Sequence, residues 1–369
     1  MTADRAGAAL LAAFERQAQW CRAPAPFTAR LLERSRAWLG RDAGARAAFA
    51  AVAQDPLAGA VALRWAGALH HLALLGREPW AGLWPPADHA TDPAALDAAL
   101  DVALDAAITT AWREQQPLVR AALWRAPQTN EVQRSAVLLP GLLHVAAATG
   151  LPLALLEIGA SAGLNLWCDR YRYDAGPWSW GDASRPLTLA PSWRGPAPEL
   201  GAPLAVARRA GCDLHPVDLR APGEALRLAS FIWPEQRDRL ARLRAACDAV
   251  AGWQAAEGIG VEAATASRFV ARELAAPARG IATVLMHSVL WQYLGKAEQD
   301  AITAAVEAAG ARATPDAPLA WLTLEPPAPD LGVQLGCRIW DGAARRGVRR
   351  LLAQAHPHGA SIEWLEAAG

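Results

Sequence analysis

Lysine is almost absent from this chain. Lys296 is the single lysine among 36 basic residues in a sequence of 369. A lysine-based mechanism therefore depends on one position, at an expected helix start, and the bias reads as genomic composition rather than chemistry. Cysteine is scarce as well. Cys21, Cys168, Cys212, Cys247 and Cys337 are scattered, with no Cys-x-x-Cys pair and no histidine at ligand spacing. That pattern argues against a disulfide framework or a structural zinc site, and for a reducing cytoplasm. Net charge is missing too: 36 basic residues balance 36 acidic ones, so no broad footprint for nucleic acid is expected. No uninterrupted run reaches about 18 apolar residues, which excludes an ordinary membrane span. The opening MTADRAGAALLAAFERQ carries both charge signs and reads as an amphipathic helix rather than a signal peptide.

What is present divides the chain in two. Residues 1–125 are rich in Ala and Leu at helical spacing, with Leu57, Val61, Leu63, Ala68, Leu72 and Leu75 as one example and 95–110 as another. Turn signals fall at 24–26, Asp55-Pro56, Pro79, Pro85-Pro86 and Asp92-Pro93. This half reads as a helical domain, and His70-His71 within it as a half-exposed helix pair rather than a metal site. A further helix is expected to start at Asn130, with Asn130 as N-cap and Gln133 as its capping-box partner, and to stop at Gly150. Strands and helices then alternate. Strands are expected at 153–158, 204–217, 259–263, 281–286 and 319–324, with final ones at 331–339 and 361–365. Helices are expected over 222–250, broken at Trp233-Pro234, and over 299–309. A Pro-, Gly- and Trp-rich excursion interrupts near 173–203. Such alternation predicts a mostly parallel, three-layer α/β domain over 126–369.

The most informative stretch is LPLALLEIGASAGLNLWCDRYRY, residues 151–173. It reads as a buried strand, a tight turn of small residues and a helix beginning near Leu164. Ligands of open parallel sheets bind outside the carboxyl end of such a strand. Gly159-Ala160-Ser161-Ala162-Gly163 fits two chemistries, a cofactor turn and the Gly-x-Ser-x-Gly elbow of a hydrolase.

EIGASAG, GCDLHP and VLMHSVLWQYL occur in the order of three landmarks of class I S-adenosylmethionine-dependent methyltransferases, and the chain resembles them. Along its whole length it also resembles an uncharacterised bacterial domain-of-unknown-function family. That resemblance rests on TNEVQR (129–134), EIGASAGLNL (157–166), GCDLHPVD with WPE following, LMHSVL and AHPHG (355–359). The first resemblance implies a Rossmann-like fold of the class I methyltransferase type behind an N-terminal helical domain, with S-adenosylmethionine as cofactor and a small-molecule substrate as partner. It implies that Glu157, Gly159, Ser161, Gly163 and Asn165 line the cofactor's amino-acid and ribose portion. It also implies that Asp213 accepts from the ribose hydroxyls, with Asp218 as a competing acid. Where the pattern has Gly-Asp for adenine, this chain has Ala264-Thr265, and Thr265 is the remaining hydrogen-bonding candidate.

His287 and Ser288 follow the strong strand and should emerge at the ligand edge. There Ser288 would meet the cofactor and His287 could act as general base, unless it is a core histidine bonded to backbone. Trp291 and Tyr293 come next, with Tyr293 a second catalytic candidate. Trp178, Trp180, Trp291 and His358 are the substrate-side candidates, since aromatic walls suit a sulfonium or a flat substrate. A small aromatic core within the excursion is the competing account of its tryptophans. Arg345, Arg346, Arg349 and Arg350 read as a solvated face, and no metal site is expected.

The expected function is thus S-adenosylmethionine-dependent methyl transfer to a small or medium-sized acceptor. A non-catalytic or altered-ligand protein of the same fold is one alternative. A serine hydrolase is the other, with Ser161 as nucleophile, Asp218 or Glu325 as acid and His356 or His358 as base.

Overall fold

A computed structural model of the chain describes residues 3–84, 98–328, 331–342 and 345–365. The turn signals at Pro85-Pro86 and Asp92-Pro93 lie outside the described residues. Contacts divide the chain into Met1–Thr129 with Pro222–Arg244, and Asn130–Ala221 with Ala245–Gly369.

The first unit is helical: Ala3–Cys21, Pro26–Arg41, Ala43–Ala50, Val61–Leu74, Trp80–Leu83, Ala98–Glu114, Gln116–Trp124 and Glu224–Ser230. Local chemistry sets several boundaries. Pro26 opens its helix, where a missing N–H costs nothing, and the Asp42 carboxylate accepts from Ala45 N at 2.9 Å. The apolar stripes close on Phe14, Trp38, Phe49, Trp65 and Leu69, with Trp38 stacked on Trp65 at 5.7 Å.

The expected boundary at residue 125 does not separate two continuous domains, because 222–244 belongs to the helical unit. Thr28 donates its N–H and hydroxyl to Glu235 at 2.8 and 2.9 Å, and Trp233 packs against the helical core. His70 is buried rather than half-exposed. Its Nδ1 lies 3.2 Å from Ser230 O, its ring stacks on Trp84, and burial pushes its pKa down to about 4.

In the second unit the strands are β1 (Leu153–Ile158), β2 (Arg172–Asp174), β3 (Ser179–Trp180), β4 (Thr188–Leu189), β5 (Ser192–Arg194) and β6 (Val206–Asp213). They continue with β7 (Val261–Ala263), β8 (Ala282–Ser288), β9 (Leu319–Glu325), β10 (Val333–Trp340), β11 (Arg350–Ala355) and β12 (Ser361–Trp364). Nine of them form a mostly parallel sheet in the order β5-β12-β11-β10-β9-β8-β1-β6-β7, and β3-β2-β4 form a small separate one. All six residues of β1 are buried, as expected of a strand covered on both faces. Helix Ser135–Thr149 packs on β9, β10 and β11, with Gly141 against Leu322. Ala266–Glu273 and Lys296–Gly310 pack with Leu156, Leu285 and Trp321, which point to the opposite face. The chain moves outward from β1 to β6 and β7, then returns to β1's other side as β8 and β9. The strand order therefore switches between β1 and β8, where ligands of open α/β sheets bind.

Several local expectations change. The helix expected from Asn130 begins at Ser135 after a 3-10 turn over Val132–Arg134, with Glu131 accepting from Gln133 N at 3.2 Å. Asn130 does not cap it, because its side chain is bonded elsewhere. The segment after Leu164 is 3-10, Leu164–Arg170, and breaks at Trp167 (φ −107°). β11 was not expected: arginines at its entry and a register shift between Leu335 and Gly336 hide its alternation. The excursion is not wholly outside the sheet, since β5 pairs with β12. Among the described residues no helix is long and apolar enough to cross a membrane, and all five cysteines are free and buried.

Candidate functional site

The turn after β1 is held by three other parts of the chain. Gly159, Ser161 and Gly163 have φ of +68°, +54° and +80°, the left-handed region that costs a serine strain. The N–H groups of residues 160–164 are all engaged. Ala160 N donates to Cys212 O at 3.0 Å, Ser161 N to Asp213 Oδ2 at 3.0 Å and Gly163 N to Ala160 O at 2.7 Å. Asn130 Oδ1 takes Ala162 N at 3.2 Å and Leu164 N at 3.0 Å. Gln254 Nε2 donates to Ala162 O at 2.9 Å. Anion cradles work through free backbone N–H groups, and residues 160–164 keep none.

The turn is instead rich in acceptors. Glu157, 2% exposed at the end of β1, has one carboxyl oxygen, Oε2, buried without a partner. Asn165 bonds the Glu157 carboxyl and is oriented by Ser135, whose hydroxyl donates to Asn165 Oδ1 at 2.8 Å. Burial pushes the Glu157 pKa up to about 8. The Asn165 hydrogen bond opposes the rise, Asp213's charge adds to it, and Arg134 also opposes it. The Ser161 hydroxyl is buried and unpaired as well. Asp213 ends β6, and its Oδ1 accepts from His215 N at 2.9 Å.

Beside the turn, Arg134 donates to Pro357 O at 2.9 Å and Ser288 O at 3.3 Å. Gly359 (φ +69°) lies so close to Gln133 that a Cβ would stand 2.4 Å from its carbonyl oxygen. A Cβ on Gly159 would stand 2.7 Å from Leu290 Cδ1, so the β8 exit covers the turn. TNEVQR, EIGASAG, GCDLHP, LMHSVL and AHPHG, more than 200 residues apart at their extremes, thus meet at one edge of the sheet.

His287 belongs to the same edge but to the other face. Residues paired across parallel strands share a face. Glu157 pairs with Met286, and Met286 with Leu322, toward helix Ser135–Thr149. His287 pairs with Thr323, toward Trp321. Its Nδ1 lies 2.7 Å from Glu325 Oε1, and its ring stacks on Trp291 at 5.2 Å. His287 Nε2, Glu325 Oε2 and Trp321 Nε1 are buried without partners. Sequence reasoning named Glu325 only as a hydrolase acid. An acid closing the apolar run 319–324 was the signal for a pocket role.

The other candidates are placed apart from the turn's polar contacts. Trp178 meets Trp193 edge-on at 4.8 Å and Trp193 stacks on Trp364, while Trp180 packs on Tyr173. These tryptophans build the excursion's aromatic core. Tyr293 is 76% exposed. Thr265 caps helix Ala266–Glu273 by accepting from Arg268 N at 3.3 Å. His358 donates its backbone N–H to His356 Nδ1 at 3.1 Å. Asp218 pairs with Arg220 at 2.8 Å. The hydrolase constellation of Ser161 with Asp218 or Glu325 and His356 or His358 is therefore not assembled by these contacts.

No curated protein and no solved structure matches the chain. Residues 11–364 match the model of a family described as an uncharacterized protein conserved in bacteria (DUF2332), and the chain belongs to that family.

Proposed function

We propose that this protein binds S-adenosylmethionine at the carboxyl ends of β1 and β6 and transfers its methyl group to a small or medium-sized acceptor. The observation that carries the reading is the polarity of the turn. Its N–H donors are spent, while Glu157 Oε2 and Ser161 Oγ are buried and unmet. Such a surface suits a ligand that brings an ammonium, whose charge would lower the Glu157 pKa and ionise it, together with ribose hydroxyls, and does not suit a pyrophosphate. Glu157 and Ser161 would face the amino-acid end and Asp213 the ribose. The adenine end is less well provided, since the Thr265 hydroxyl already serves as a helix cap. Bound there, the sulfonium supplies an activated methyl carbon. The protein's part is to hold the two reactants in line and keep water out, effects that account for much of the rate in displacements.

The test is calorimetry with S-adenosylmethionine and its demethylated product. Micromolar binding is expected for the wild type, weakened at least tenfold by Asp213→Ala. Absence of heat with both ligands overturns the proposal. A non-catalytic or altered-ligand protein of the same fold would survive that result.

A serine hydrolase is the second reading, favoured by the positive φ and unpaired hydroxyl of Ser161. An elbow needs the N–H of the residue after its nucleophile for the oxyanion, and Asn130 occupies that of Ala162. Labelling of Ser161 by a fluorophosphonate would establish this reading; an inert Ser161 removes it.

A further inference from the structure

Glu325 has no part in the binding surface just described, yet one of its oxygens organises the β8 exit. Oε1 accepts from His287 Nδ1 at 2.7 Å and from Leu290 N at 2.9 Å. Oε1 is already the acceptor of Leu290 N–H, and the same acceptor facing His287 assigns the proton of the His287–Glu325 bond to Nδ1. In the neutral ring, Nε2 is then left as an acceptor. That Nε2 is buried at the carboxyl end of β8, bonded to nothing, on a ring packed against those of Trp291 and Trp321. Glu325 Oε2 and Trp321 Nε1 are unmet in the same cluster, two acceptors and one donor in all. An apolar aromatic slot alone would give no reason to bury three unmet polar atoms. Through Leu290, whose side chain lies over Gly159, the same carboxylate braces the cover of the turn.

We propose that Glu325 is a positioning residue: it fixes His287 in the tautomer whose Nε2 takes a proton from the methyl acceptor. The acceptor class follows, and this part rests on the methyl-transfer reading. The acceptor attacks through a hydroxyl or amine that must lose its proton, not through a carboxylate or thioether that has none to give. In the step, the acceptor's lone pair forms the bond to the methyl carbon as the carbon–sulfur bond breaks. The cofactor leaves as a neutral thioether, and the acceptor's proton passes to His287 Nε2.

The experiment is nitrogen NMR of the full chain labelled in its eight histidines, with His287 assigned by its loss in His287→Gln. The wild-type ring should show a protonated Nδ1 and an unprotonated Nε2. Glu325→Leu, which removes the acceptor, should move the proton to Nε2. Glu325→Gln, which keeps an acceptor oxygen, should restore the wild-type pattern. A carboxylate that merely braced the loop would leave the tautomer unchanged in Glu325→Leu. That result overturns the proposal, as does a wild-type ring protonated at Nε2, which does not depend on a Glu325 variant folding. Calorimetry with S-adenosylmethionine on the same samples separates the two layers. Binding should persist within about threefold in Glu325→Gln. A wild type that does not bind it removes the methyl-transfer reading and the acceptor class, while the tautomer result still decides the role of Glu325.

Discussion

Glu157 is the residue whose environment departs furthest from that of a free side chain in the candidate site. A carboxyl with a folded-state pKa near 8 and an ordinary value of 4.5 stays protonated in the folded protein across a range where the unfolded chain has released the proton. Its contribution to stability is therefore largest below pH 4.5, falls as pH rises toward 8, and levels off above. The slope is at most about 1.4 kcal/mol per pH unit. Glu157→Gln has nothing to ionise, so its Tm advantage over the wild type should grow between pH 5 and 8. Parallel pH profiles would show that Glu157 is not a buried neutral acid. Gly159 offers a second check. A methyl there meets φ +68° and Leu290 at 2.7 Å, and Gly159→Ala should cost about 1–3 kcal/mol in urea denaturation. Leu290→Ala in the same background should recover part of it, since the clash is between those two positions. Ser161→Gly relieves a left-handed serine and should leave Tm unchanged or raised, while S-adenosylmethionine binding weakens about threefold to tenfold with the lost hydroxyl contact.

Among the elements, the segment before helix Ser135–Thr149 matters more than its length suggests. Asn130 gives one oxygen to two buried N–H groups of the turn, and Arg134 ties the end of β8 to the loop before β12. Asn130→Ala leaves both donors unmet, at about 1–3 kcal/mol each, whereas Asn130→Asp keeps the acceptor and should cost far less. Denaturation midpoints that fall equally in the two variants would show that the carboxamide oxygen is not the reason for the residue. The same residues explain a limit of local reading. Thr-Asn-Glu-Val-Gln before an apolar run satisfies the rules for a helix cap, and Asn130 nonetheless caps a turn 32 residues downstream. A polar side chain bonds the donor that folding brings to it, and spacing along the chain says nothing about that donor.

At the scale of the molecule, the helical unit is discontinuous. Residues 222–244 lie beyond β6 in sequence but contribute Trp233 and Glu235 to the helical core. A chain cut to residues 126–369 should expose that apolar surface and aggregate, while the full chain elutes as a folded species. Size-exclusion chromatography with a thermal melt decides between them, and a cooperative, soluble fragment would show that 222–244 does not need its helical partners.

Much of this was legible in the sequence because it depends on short range. The all-helical beginning, the strand at 153–158 with its small-residue turn, the break at Trp233-Pro234 and the apolar strands at 281–286 and 319–324 follow from periodicity, turn chemistry and apolar runs. Those properties belong to neighbours within a few residues. Only tertiary structure decided that Glu157 and His287 face opposite sides of one sheet, because that depends on register between β1 and β8. Only it decided that Asn130 and Asp213 take the N–H groups of Ser161, Ala162 and Leu164, that Glu325 holds His287, and that 222–244 belongs with the first helices. Each of these is a choice of partner across the chain, made by burial and by the need of buried donors for acceptors, and spacing carries no record of it.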